Sequence, residues 1–112
     1  MLTIYHNSRC SKSRQTLQLI QDNNQAVEVV EYLKSPLNKD KITQLISLLN
    51  VSPIEMMRTK EAEFKEQNLK GASDDVLINA MVNTPKLIER PIVTTENKAV
   101  IGRPPENVLT LF

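Results

Sequence analysis

Leu2-Thr3-Ile4-Tyr5-His6-Asn7-Ser8-Arg9-Cys10-Ser11-Lys12-Ser13-Arg14 is the stretch on which the fold turns. Leu2 to Tyr5 is short, apolar and β-prone, the pattern of a buried strand. From Ser11 the pattern changes to that of a helix. Ser13, Leu17 and Ile20 make one narrow face, and Asn23-Asn24 ends the run. Val27-Glu28-Val29-Val30-Glu31-Tyr32 then reads as a second strand. Strand, helix and strand this close together form a βαβ unit, with parallel strands and a right-handed crossover.

The middle of the chain reads as helical. Ile42, Leu45, Ile46 and Leu49 follow the spacing of one buried helix face. Pro53 opens a further short helix. Lys60 to Gln67 is a charged, solvated helix anchored by Phe64, and Ser73 caps a helix whose first turn carries Asp74 and Asp75. Leu77, Ala80 and Met81 are its expected buried stripe. The end returns to β structure. Pro91 to Thr95 and Lys98 to Ile101 flank Glu96-Asn97 as a hairpin, Gly102 breaks the second strand, and Pro104-Pro105 opens a final helix. The order β-α-β, helical block, β-β-α matches an α/β architecture of thioredoxin/glutaredoxin type with a helical insertion between its halves. Order alone leaves other α/β arrangements open.

Composition narrows the function. At 112 residues the chain is read as one domain spanning residues 1–112. Fourteen Lys and Arg against 13 Asp and Glu leave a formal charge of +1, which gives no electrostatic footprint for nucleic acid or a membrane surface. No apolar run is long enough for a transmembrane helix, and Met1 to Tyr5 lacks the regions of a signal peptide. One cysteine cannot form an internal disulfide, which fits the cytoplasm. One His and one Cys without further soft ligands argue against a metal site.

Cys10 sits at the strand-to-helix turn. A free cysteine is among the most buried residue types, so an inert core thiol is the bland reading. Its position favours a reactive one. Backbone N–H groups and the positive pole of a helix stabilise an anion there, and Arg9, Lys12 and Arg14 are adjacent in sequence. These are the conditions that lower a thiol pKa.

Two Arg-Pro pairs follow. A two-residue turn at Glu96-Asn97 sets Ile92 opposite Ile101 and Arg90 opposite Arg103. Like charges facing each other need a compensator. A neighbouring carboxylate and a bound oxyanion gripped by planar guanidinium forks both satisfy that need. Arg58 taken alone is an ordinary surface arginine, and His6 a structural histidine, or a base or orienter for Cys10. Spacing eliminates other thiol chemistries. A tyrosine-phosphatase loop requires Arg where Thr16 stands, a dithiol motif requires Cys where Ser13 stands, and the only histidine precedes the cysteine.

Tyr5-His6-Asn7-x-x-Cys10-x-x-Ser13-Arg14, Leu87 to Val93 and Gly102-Arg103-Pro104 together resemble the three signatures of the glutaredoxin-linked arsenate reductases of the ArsC family. The resemblance covers essentially the whole chain. It departs at Ser8, where the family usually has Pro, and at Ser11, where Gly is common. It implies a thioredoxin-like fold with Cys10 as nucleophile and Arg58, Arg90 and Arg103 as oxyanion-handling residues. His6, Asn7, Ser13 and Arg14 are implied as supporting residues that tune the thiolate, and Arg90-Pro91 as a cis-proline site.

The expectation is therefore a cytoplasmic, monomeric reductase of arsenate to arsenite. It holds no bound cofactor or metal, takes glutathione as co-substrate and glutaredoxin as partner, and contacts neither nucleic acid nor membrane. A regulator or adaptor of the Spx type on the same fold is the alternative, although Ser13 excludes the Cys-x-x-Cys that many of those carry. A reductase of another oxyanion or of a glutathionylated substrate is a third reading.

Overall fold

The computed structural model describes residues 1–112, which divide into two compact units, residues 1–35 with 90–112 and residues 36–89. The first unit contains the β-α-β and β-β-α halves. Strands β1 (Leu2–Tyr5), β2 (Val27–Val30), β3 (Ile92–Thr94) and β4 (Ala99–Ile101) form one sheet in the order β2-β1-β3-β4. β1 runs parallel to β2, with Leu2 beside Val27 and Tyr5 beside Val30. It runs antiparallel to β3, and β3 is antiparallel to β4. Ile92 pairs with Ile101 and Val93 with Val100, the register that a two-residue turn at Glu96-Asn97 predicts.

Helix α1 (Ser11–Asp22) connects the parallel strands. It has no acidic residue in its first turn and no basic residue in its last, so packing rather than end charges supports it. Asn24 ends the run in the left-handed region at φ 56°. Leu2, Ile4, Ile20, Val93 and Val108 form the core of this unit, with Leu17 and Val100 packed at its edge. Burying each of these aliphatic side chains is worth roughly 1.5–3 kcal/mol.

Three local differences from the sequence reading have simple causes. The second strand stops at Val30, because the chain turns at Glu31 and puts Tyr32 inside. Thr16, a polar residue, joins Ser13 and Ile20 on the buried face of α1 because its hydroxyl donates to the Lys12 carbonyl at 2.8 Å. The last helix, Pro105–Leu111, is of the tighter 3-10 type and packs on α1.

The second unit is the helical insertion. Helix α2 (Lys39–Leu49) starts at Asn38, whose side chain accepts the Lys41 N–H at 2.8 Å, and ends at Asn50. α3 is Ala62–Glu66, and α4 is Asp74–Asn83, capped by Ser73. Short 3-10 turns at Pro53–Met56 and Pro85–Leu87 pack against α4, as does α2. Ile42, Leu45, Leu77, Ala80 and Met81 are buried as the periodicity predicts, and Phe64 with them, while Ile46 and Leu49 on the same expected face are only partly buried. No helix in either unit is long and apolar enough to cross a membrane.

Candidate active site

β1 and α1 place Cys10. The His6 N–H donates to the Val30 carbonyl at 2.8 Å, carrying the strand pairing one residue past Tyr5. The chain then turns through Asn7 to Cys10, and side chains knit the turn. The Asn7 carbonyl accepts the Cys10 N–H at 3.0 Å, and the Asn7 side-chain carbonyl accepts the Arg9 N–H at 3.0 Å. Arg14 Nη1 donates to the Ser8 carbonyl at 3.0 Å. The buried hydroxyl of Ser13 accepts the Asn7 N–H at 3.1 Å and is hydrogen-bonded to His6 Nδ1 at 2.6 Å. His6, Asn7, Ser13 and Arg14 thus all belong to the structure that holds the cysteine loop. Burial lowers the His6 pKa, and the charge of Arg14 adds to the effect against the opposing charge of Glu31.

Cys10 is the N-cap residue of α1 and is 9% exposed. Its sulfur accepts no regular capping hydrogen bond. The N–H groups of Ser13 and Lys12 nevertheless lie close enough to stabilise a thiolate. Burial alone pushes the thiol pKa up. The Ser13 N–H, the hydrogen bond and charge of the Arg90 guanidinium, and the Lys12 N–H outweigh it and hold the thiol below its ordinary value. The cationic side chain that lowers it, Arg90, therefore comes from the far end of the sequence, not from Arg9 or Lys12 beside the cysteine. Arg9 and Lys12 are exposed.

The hairpin delivers the two arginines as its register requires. The Gly102 N–H donates to the Pro91 carbonyl at 2.9 Å, one step beyond the Ile92–Ile101 pair. At the next step Arg103 Nε donates to the Arg90 carbonyl at 2.7 Å, and Arg103 Nη2 reaches Cys10 Sγ at 3.4 Å. Both Arg-Pro bonds, Arg90-Pro91 and Arg103-Pro104, are cis. The Arg90 guanidinium opposes its own burial by interacting with Cys10 and with Tyr32, a fully buried residue. Two facing cations are thus compensated in part by the sulfur between them.

Arg58 belongs to the second unit. Its Nε and Nη2 both bond Glu61 Oε1, at 3.0 and 2.8 Å, and Nη1 lies 4.0 Å from Glu89. Its backbone N–H donates to the Leu87 carbonyl at 2.7 Å. Arg58 is thus a partly buried, carboxylate-paired arginine rather than an ordinary surface one. No group of three or more His, Cys, Asp or Glu side chains is arranged to hold a metal ion.

Tyr32, which interacts with Arg90, and Thr16, whose hydroxyl lies 3.4 Å from the Gly102 carbonyl, support this site and were not singled out from sequence. The signal for Thr16 was available, since it shares the helical face of Ser13 and Ile20. Tyr32 carries none, because its role depends on where a turn redirects the chain.

Comparison with known proteins shows the family and the fold. The sequence profile of the ArsC family matches residues 5–111. The chain belongs to the ArsC family. Its relatives include the uncharacterised protein YfgD of Escherichia coli, 50% identical over 96% of this chain and 93% of that protein. An arsenate reductase of Neisseria meningitidis is 39% identical over 96% of this chain and 94% of its own length. The solved structure of an arsenate reductase from Vibrio cholerae superposes with a TM-score of 0.95 at 44% identity, covering 99% of this chain and 97% of that one. The fold is that of the ArsC family, thioredoxin-like.

Proposed function

We propose that this protein is a thiol-dependent reductase of an oxyanion, arsenate in the first instance. The observation that carries the reading is the convergence of Arg90 and Arg103 on a thiol whose pKa is lowered. A nucleophile that must attack an anion needs cations beside it, or charge repulsion stops the approach. Guanidinium forks supply that charge and also match the geometry of a tetrahedral oxyanion. The arsenate reductases among the relatives supply the choice of element.

In the cycle, the Cys10 thiolate attacks arsenic(V). One arsenate oxygen takes up protons and leaves as water, and an Sγ–As bond remains. Glutathione enters because the chain has no second cysteine. Its thiol displaces a second oxygen, also as water, and forms an As–S bond. A glutaredoxin thiolate then attacks the glutathione sulfur. The As–S bond breaks with its electron pair going to arsenic, which becomes arsenic(III), and glutaredoxin departs as a mixed disulfide. Water cleaves the remaining Sγ–As bond, arsenite leaves, and Cys10 returns as thiolate. A cycle that restores a free thiol fits a monomer in a reducing compartment, the cytoplasm.

Within this cycle Arg90 and Arg103 offset the oxyanion charge, and Ser13 and Lys12 N–H groups keep the leaving thiolate stable. His6, Asn7, Ser13 and Arg14 hold the loop. Arsenate reduction with glutathione and glutaredoxin, wild type against Cys10→Ser, is the test. Activity is lost in the variant if the cycle is right, and equal activity eliminates it. Omitting glutathione or glutaredoxin in turn tests the reductant.

A further inference from the structure

Arg103 stands at a weak point of the backbone. It follows Gly102, the residue with the greatest conformational freedom, and precedes Pro104, which has no N–H to donate. β4 ends at Ile101, so the sheet holds this corner only through the Gly102 N–H on Pro91. The Arg103 N–H folds back onto the Ile101 carbonyl at 2.9 Å, a tight three-residue turn. A side chain outside the hairpin closes that turn. Asn107 Nδ2 donates to the Ile101 carbonyl at 3.2 Å and to the Arg103 carbonyl at 3.1 Å. One amide thus uses both of its hydrogens on the two ends of the turn that carries Arg103. Asn107 is itself exposed and lies in the first turn of the C-terminal 3-10 helix, where its own N–H donates to the Pro104 carbonyl at 3.0 Å.

We infer that Asn107 is a positioning residue for the oxyanion site: its amide clamps the Ile101–Arg103 turn and thereby aims the Arg103 guanidinium at Cys10 and its ligand. The clamp acts through the backbone of the turn, since the Asn107 amide donates to the Ile101 and Arg103 carbonyls. Arg103 is held at its side chain by the Arg90 carbonyl and Cys10 Sγ, and its backbone carbonyl accepts from Asn107, so losing the Asn107 amide loosens the backbone end of the fork. This inference rests on the reading of Arg103 as an oxyanion ligand.

The test measures the dissociation constant of arsenate, and of sulfate as an inert analogue, from protection of Cys10 against iodoacetamide. It needs no turnover. Asn107→Ala removes two hydrogen bonds and weakens anion binding about three- to tenfold. Asn107→Asp is nearly isosteric but turns an acceptor towards two carbonyl oxygens, so it weakens binding more than alanine does. Asn107→Gln, which keeps the donor, recovers part of the loss. Arg103→Gln sets the ceiling, and the neutral Asn107→Ala added to it causes no further loss because the clamp then has nothing to aim.

Equal constants for wild type and Asn107→Ala overturn the inference, as does an equal loss from Asn107→Ala in the Arg103→Gln background. A null effect of Arg103→Gln alone overturns the oxyanion reading of Arg103 and the clamp with it. If Arg103→Gln weakens binding and the Asn107 variants do not, only the clamp fails.

Discussion

Gly102→Ala probes the closest approach in the first unit. A Cβ at this position lies 2.6 Å from Thr16 Oγ1, 3.0 Å from Thr16 Cγ2 and 2.9 Å from Pro91 Cγ. Neither neighbour can give way cheaply. Thr16 is fully buried and its hydroxyl is spent on the Lys12 carbonyl, with the Gly102 carbonyl at 3.4 Å beyond. Pro91 is a closed ring whose carbonyl holds the Gly102 N–H. Overpacking of this kind costs about 1–3 kcal/mol, and contact on two sides places the cost at the upper end, about 2–3 kcal/mol. In a chain of this size that is roughly 8–12 °C in thermal midpoint. Thermal and urea unfolding followed by circular dichroism measure it. Thr16→Ala in the Gly102→Ala background removes both Thr16 contacts and leaves only Pro91, so the double variant is more stable than the two single costs predict. A Gly102→Ala midpoint within about 0.5 kcal/mol of wild type, or additivity within that margin, refutes the packing argument.

The thiol and the histidine make two further predictions. The alkylation rate of Cys10 with iodoacetamide reaches half its maximum below pH 8.5, near which an ordinary thiol titrates, and Arg90→Gln moves that midpoint upward. An unchanged midpoint in Arg90→Gln removes Arg90 from the thiolate's environment. Burial holds His6 below the roughly 6.5 of a free imidazole, so the unfolded chain takes up its proton at higher pH than the folded one. The stability from this group is full above about pH 6.5 and is lost as pH falls from there towards the folded-state pKa. His6→Gln flattens the urea-midpoint profile between pH 7 and 5, and a profile with the wild-type slope contradicts the assignment.

Much of the fold was legible because its signals are local. The apolar run Leu2 to Tyr5, the helix beginning at Ser11 and the caps Ser73 and Asn23-Asn24 each rest on contacts within a few residues. The hairpin was legible for a different reason. A two-residue turn determines every pair above it, so Arg90 and Arg103 could be set opposite each other by counting. Chain redirection was not legible. The second strand ends at Val30 because a turn at Glu31 buries Tyr32, and nothing in Val27 to Tyr32 distinguishes that from two more residues of strand. The 3-10 geometry of the last helix is likewise invisible to an apolar pattern.

The site divides along the same line. Sequence by itself determined that one thiol stands at a strand-to-helix turn without a second thiol to resolve it, and that two arginines share one end of a hairpin. These follow from order, spacing and turn length. Only the tertiary structure decided which cations act on that thiol. Arg9, Lys12 and Arg14 are nearest in sequence, yet Arg14 is spent on the Ser8 carbonyl and Arg9 and Lys12 are exposed. Arg90 and Arg103 reach the sulfur from some eighty to ninety residues away, because β3 lies beside β1 in the sheet. Electrostatic influence depends on distance and burial in space, and the pairing of β1 with β3 sets both.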